Sequence, residues 1–359
     1  MATLCWIFAA WWLVLGGNAA AQTQTPDIFT VKAVQIDETA ESAAAARAIA
    51  LVAGQKEAWR RLLERLVPRN ALGAAPAGTP DLFSNIVGGI SVDSEKTSSV
   101  RYLADLTVRF KPDAVRRLFR DGGLRWAETA SKPLVVLPVY RAQGTVQLWD
   151  ITNLWHKAWQ ELPDSDALFR LVVPDGQPAD LADISPDQAL AGDSARIAAI
   201  ARRYAADGAL VAAATLMAGE GASPGSLEVT VSRFGPGGDE RTSVSSYAKS
   251  AETPLPSLLK SAAAQLRRDF EEGWKQENLL RFGEQRELIA VAPLSGLPAL
   301  IRLKALLGSV AEIRAVEVLS ISRDQTKIRL LYLGDPSQLV LALAQKDLAL
   351  TRGAVEWQL

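Results

Sequence analysis

The run Leu134-Val135-Val136-Leu137-Pro138-Val139 narrows the fold more than any other stretch of the chain. It holds no polar position, so a strand made from it has no face to give to water. Such strands lie inside sheets that carry helices on both sides. The residues that follow supply the rest of an α/β unit. Phe169 to Val173 and Gly208 to Met217 read as two further apolar strands, and Asp193 to Tyr204 as a helix capped by Asp193 or Ser194. Leu227, Val229 and Val231 alternate with polar residues, the pattern of a half-exposed strand. Thr242 to Lys249 returns as its hairpin partner after the Gly235-Pro236-Gly237-Gly238 turn. Thr253 caps a helix that starts at Pro254 and lines one face with Leu259, Leu266, Phe270 and Trp274.

Two other units flank this one. Ile28 to Ile36 predicts a strand and Glu41 to Leu66 a long helix, with Val52, Trp59, Leu62, Leu63 and Leu66 as its core stripe. Pro68 stops the helix, and Asn70 to Pro80 reads as a loop. Ile90 to Ser99 pairs with Val100 to Phe110, and a short helix runs from Pro112 to the Asp121-Gly122-Gly123 stop. The order is β-α-β-β-α. At the other end, Leu288 to Val291, Ile313 to Ile321, Lys327 to Leu333 and Leu348 to Val355 are strand candidates. Helices fall over Leu297 to Leu307 and after Asp335-Pro336, which gives β-α-β-β-α-β, the ferredoxin-like pattern. The expected architecture is therefore three small modules of α/β and α+β class: residues 22–125, a mixed-sheet middle domain at 131–282, and a ferredoxin-like domain at 285–359.

Residues Leu4 to Gly17 are almost wholly apolar and lead into Ala19-Ala20-Ala21. Small residues at Ala19 and Ala21 fit the signal-peptidase rule, so residues 1–21 read as a signal peptide cleaved after Ala21. Retention as an anchor is the other reading. Cys5 stands at the start of the apolar stretch, where it does not fit a lipidation site. The mature chain then has no cysteine, and no later segment is apolar for long enough to span a bilayer. The expected product is a soluble periplasmic protein without a stable membrane span.

Composition removes most chemistry. There is one histidine, His156, in the whole chain. A Ser-His-Asp triad would have to use it, and a lone histidine beside Lys157 reads as a surface or core residue rather than a catalyst. With 39 basic and 40 acidic residues the net charge is −1, which gives no global field for nucleic acid. The glycine-rich stretches Gly219-Glu220-Gly221 and 235–238 sit between strands and lack a Walker lysine, so they read as turns. The carboxylates from Asp164 to Asp193 are irregularly spaced, unlike a calcium loop, and read as solvated. Arg116, Arg117, Arg120 and Arg125 form a small basic cluster, by default a solvated helix face. No catalytic residue, metal site or cofactor is expected. One segment stands out: Trp149, Trp155 and Trp159 fall close together, the last two on one helix face. They read either as a core plug or as an aromatic surface for a ligand or partner.

Three features carry a resemblance: the Ala-rich first helix from Ala43, the pair PLVVLPVY and LWDITNLWHKAW, and the ending LLYLGDPSQLVLALAQKDLAL…WQL. Together they resemble a proteobacterial envelope family built on a domain of unknown function. The middle unit is also similar to the amino-terminal domain of TolB translocation proteins, to curli-secretion lipoproteins and to activators of penicillin-binding proteins. In that group an α/β domain serves as a docking module, although several members are lipoproteins and this chain lacks the lipidation Cys. The resemblance implies a non-enzymatic accessory or scaffold protein of the cell envelope with an envelope protein as partner. Self-association through edge strands stays open. The alternative is an envelope carbohydrate- or lipid-binding protein, or a hydrolase, that uses the Trp149–Trp159 segment.

Overall fold

A computed structural model describes residues 27–142, 144–217, 225–235, 241–249, 252–280, 285–294, 296–323, 325–353 and 357–359. The expected leader with its cleavage position Ala21, the 219–221 turn and residues 236–238 lie outside these. The described residues form a mixed α/β protein with three sheets, ten α-helices and one 3-10 helix.

The first unit runs β1 (Thr30–Thr39), α1 (Ala43–Leu66), a 3-10 turn (Arg69–Ala74), α2 (Pro80–Ile86), β2 (Val87–Thr97), β3 (Arg101–Phe110) and α3 (Pro112–Asp121). The three strands make an antiparallel sheet in the order β1-β3-β2. Helix α1 lies across it, started by Ser42, whose hydroxyl accepts from Ala45 N. Its buried row is Ala46, Ala50, Gly54, Ala58, Leu62 and Leu66, not a row through Val52. The helix approaches so closely that a Cβ on Gly54 would stand 2.6 Å from Leu106 Cδ1. Small residues at four-residue spacing permit that approach, and larger ones are displaced to the flank. The expected loop at 70–80 instead contains the 3-10 turn, and Thr79 caps α2. Trp59 pins the connection by donating from Nε1 to Pro76 O at 2.9 Å.

The middle unit runs β4 (Leu134–Ala142), β5 (Thr145–Gln147), α4 (Leu154–Gln160), β6 (Leu171–Val172), α5 (Pro178–Asp183), α6 (Pro186–Leu190), α7 (Ser194–Arg203), β7 (Gly208–Met217), β8 (Ser226–Phe234), β9 (Arg241–Ala248) and α8 (Leu255–Glu277). Strand β4 pairs in parallel with β7 and β6, while β7, β8 and β9 continue antiparallel. All of Leu134 to Tyr140 is buried. Leu134, Val136 and Tyr140 enter one core, and Val135, Leu137 and Val139 enter another on the opposite face. Gly208 is required where β7 begins, since a Cβ there would lie 2.1 Å from Phe234 O. The expected strand from Phe169 shrinks to two residues because the Phe169 ring turns inward and stacks on Phe270 at 5.9 Å.

The terminal unit runs β10 (Gln285–Ala292), α9 (Leu297–Gly308), β11 (Ile313–Ile321), β12 (Thr326–Leu333), α10 (Pro336–Ala344), β13 (Thr351–Arg352) and β14 (Trp357–Gln358). Its sheet order is β11-β12-β10-β14-β13. Of the closing strand expected over 348–355, Thr351–Arg352 is the part that forms among the described residues, and 354–355 lie outside them. The short strands β13 and β14 pair with each other, and β14 lies parallel to β10. Helices α9 and α10 share one face of this sheet, with Leu303, Leu307, Leu339 and Leu343 packed on Leu288, Ala290, Ile328 and Leu330.

The cores do not follow the three-module division. One cluster runs from Phe29 through α1 and β3 into β4, β7, β8 and α8. Residues Trp126 to Thr129, between the first two expected domains, are buried within it. Helix α8 ties the two parts together: Trp274 Nε1 donates to Thr129 O at 2.7 Å, and Lys275 Nζ donates to Glu64 O and Val67 O at 3.0 Å each. The terminal unit keeps a core of its own.

Candidate functional site

The tryptophan segment is built around Asn153. This buried N-cap accepts at Oδ1 from Trp155 N and His156 N, both at 3.0 Å. Its Nδ2 donates to Pro138 O, Leu148 O and Gln147 O at 3.0, 2.9 and 3.3 Å. Trp155 Nε1 donates to Ala212 O at 2.9 Å. Pro138 and Ala212 are register partners, so two side-chain donors reach the position where β4 lacks a backbone N–H.

The three tryptophans do not form one surface. Trp155 and Trp159 are buried and meet edge to face at 5.8 Å, in the core that also holds α8. Trp149 packs on the opposite core, with Nε1 donating to Ile184 O at 2.8 Å. The sheet stands between them. His156 is buried beside Trp149, and its Nε2 meets Pro174 O at 2.7 Å. That fixes it as a packing residue with a satisfied ring nitrogen.

A groove of about 390 Å³ opens next to Trp159 and Phe169, with Ser165, Arg267 and Glu271 on its wall. Ser165 Oγ donates to Glu271 Oε1 at 2.8 Å, and Arg267 Nη1 donates to Pro163 O at 2.6 Å. Asp164 and Asp175 also line the groove. Trp155 does not reach this groove. The buried Trp159 Nε1 has no hydrogen-bond partner among the described residues. The groove thus offers hydrogen-bonding groups for a polar ligand but no exposed aromatic face. The carboxylate segment also differs from a solvated loop. Asp180 is fully buried and takes the Tyr204 hydroxyl at 2.9 Å on each oxygen and Gln177 N at 2.9 Å. Burial and the Asp180 carboxylate push the Tyr204 hydroxyl up to about 12, so it remains a donor.

Two further features escaped the sequence reading. At the junction of the first and terminal units a cavity of about 300 Å³ is lined by Arg116, Glu128, Thr129, Glu312 and Lys346. Arg116 is not a solvated cation: Nη2 and Nε donate to Glu128 at 2.7 and 3.0 Å, and Trp126 Nε1 adds a bond to Glu128 Oε1 at 2.7 Å. Among the described residues the Glu312 side chain receives a bond from one other residue, Thr129 Oγ1 at 3.1 Å, and burial pushes its carboxyl up to about 7. No sequence signal separates Glu312 from an exposed acid at the start of a strand. The second feature is on the terminal unit, where Leu297, Ile301 and Ile321 are 66%, 60% and 64% exposed. Its signal was present: Leu297 to Leu307 carries more apolar residues than one helix face can bury. No family model, curated protein or solved structure matches the chain.

Proposed function

We propose that this chain is an exported, non-enzymatic accessory module of the bacterial cell envelope. In this reading residues 1–21 are removed after Ala21, and residues 22–359 work in the periplasm as a docking scaffold. The reading extends the resemblance to the envelope family of unknown function, to TolB-type accessory domains and, in the terminal unit, to a ferredoxin-like domain. The observation that carries docking is the exposed apolar group Leu297, Ile301 and Ile321 beside β11, which ends the terminal sheet as an edge strand. The test is crosslinking in intact cells, comparing the natural chain with an Ile301→Asp/Ile321→Asp variant of equal abundance. The reading expects one dominant envelope component to crosslink to the natural chain and to be lost from the variant. An identical crosslink pattern in both refutes docking through this surface. Retention of the chain in the cytoplasm refutes export.

A second reading is favoured by the groove at Trp159. Its Ser165, Arg267 and Glu271 are placed to hold a polar ligand such as a glycan. Glycan binding that Glu271→Gln leaves unchanged would remove it.

A further inference from the structure

Helix α9 buries one row of side chains and leaves a second apolar row in solvent. Leu300, Leu303 and Leu307 face the sheet at the spacing one side of a helix requires. Leu297 and Ile301, four apart, share an exposed flank. Leu297, Leu300 and Ile321 line one cavity of about 330 Å³, so the helix flank and the end of β11 form a continuous surface. The charges on α9 and its flanks have one sign. From Ala292 to Ala311 the ionisable residues are Arg302 and Lys304 alone. Both are exposed, and neither makes an ion pair among the described residues. Arg323 also lines the cavity, and the sequence places Asp324 directly after it, so the net positive charge is that of Arg302 and Lys304.

We infer that this flank of α9, together with Ile321, is a contact surface for an anionic lipid bilayer. The inference rests on the docking reading and names its partner. Leu297, Ile301 and Ile321 enter the boundary between headgroups and acyl chains. The stems of Arg302 and Lys304 lie along that boundary while their charged ends meet lipid phosphates. Contact is shallow, since α9 has 12 residues and no helix among the described residues is long and apolar enough to cross a membrane. The near-neutral whole chain does not oppose this, because the attraction is local and falls off within a Debye length.

Two other occupants fit less well. A two-fold dimer through this face would set Arg302 and Lys304 against their own copies, a like-charge arrangement. A partner strand added to β11 would meet an irregular edge, with register shifts between Ile313 and Ala315 and between Val318 and Ser320.

The experiment is vesicle flotation of residues 22–359, which include every described residue, with phosphatidylcholine vesicles and with mixed phosphatidylcholine/phosphatidylglycerol vesicles. The protein is expected to float with the mixed vesicles and to stay behind with phosphatidylcholine alone. Raising salt from about 0.01 to about 0.15 M shortens the Debye length from about 30 to about 8 Å and should release most of it. Leu297→Ser/Ile301→Ser and Arg302→Glu/Lys304→Glu, at exposed positions and checked for unchanged melting, should each lower partitioning about tenfold or more. Equal flotation of these variants, or no flotation of the natural chain, overturns the inference. So does a dimer in sedimentation that the same variants dissolve. Failure of flotation with crosslinks still lost from the Ile301→Asp/Ile321→Asp variant would discard lipid contact and leave docking standing.

Discussion

Replacing Glu312 by Gln should flatten a pH dependence that the junction cavity imposes on the fold. Glu312 is 5% exposed, and among the described residues Thr129 is the one side chain that donates to it. Arg116 is engaged with Glu128, whose negative charge also faces Glu312. Lys346 lines the same cavity, and burial holds its ammonium below the usual lysine range. Arg314 is likewise pushed down by burial, beside Arg120 and Arg116. Burial raises the Glu312 carboxyl from 4.5 to about 7. The folded chain therefore holds a proton that the unfolded chain releases. The stabilisation is fully present below about pH 4.5 and is lost as pH rises through about 7; the gap corresponds to about 3 kcal/mol. The assay is urea unfolding at about pH 5 and about pH 8 for the natural chain and for Glu312→Gln, taking the difference between the two proteins at each pH. Gln stays neutral, so relative to the natural chain it should gain about 2–3 kcal/mol between the two conditions. Parallel pH profiles would refute the argument, because the cavity would then be open enough to hydrate the carboxylate.

Other substitutions separate the packing groups from one another. Asn153→Ala removes the α4 cap and the donors to Pro138 O, Leu148 O and Gln147 O, and should cost about 2–4 kcal/mol in chemical unfolding. Trp155→Phe strands Ala212 O and should cost about 1–3 kcal/mol beyond its lost volume, whereas Trp159→Phe removes an N–H with no partner among the described residues and should lack that added cost; equal losses would show that volume alone decides. Lys275→Met, which takes the donor from Glu64 O and Val67 O at the end of α1, should lower stability by about 2 kcal/mol and raise amide exchange at that helix terminus.

What was legible in the sequence was set by local chemistry. The run at Leu134 states its environment outright, and the two cores on either side of β4 follow from it. The Asp335-Pro336 start of α10 was likewise visible, because N-cap and N1 preferences act within a few residues; Gln338 completes the box. Misreadings occurred where tertiary contacts overrode local pattern. Ala46, Ala50 and Gly54 carry little hydrophobic signal, yet they are what α1 lays on the sheet. Phe169 left the strand pattern to stack on Phe270 in α8, a partner a hundred residues away in sequence. The tryptophans show the limit best. Spacing placed Trp155 beside Trp159, but nothing in it indicated that β4 would separate them from Trp149. Glu312 and Glu128 were invisible for the same reason, since their burial comes from two units meeting.

The terminal unit should open before the rest of the molecule unfolds. The first and middle units share one apolar cluster, which among the described residues of the terminal unit takes only the half-buried Ala311 against its edge. Polar side-chain links also cross this seam: Thr129 to Glu312, Lys132 N to Gln345 Oε1 at 2.6 Å, Lys132 Nζ to Asp347 at 2.7 Å, and Gln338 Nε2 to Leu279 O at 3.2 Å. Each such bond contributes about 1 kcal/mol net, less where water reaches it, so the seam is weak beside a shared core. Ionised Glu312 weakens it further, and the cost falls on the seam rather than on β4 or α1. Hydrogen exchange followed from about pH 6 to about pH 8, with each amide corrected for its intrinsic rate, should show protection falling in β10, α9, β11 and β12 while β4 and α1 hold. Glu312→Gln should keep the terminal amides protected across that range. Loss of protection in all three sheets together would mean that the polar seam transmits unfolding as well as an apolar core does, and the separate behaviour of the terminal unit would have to be abandoned.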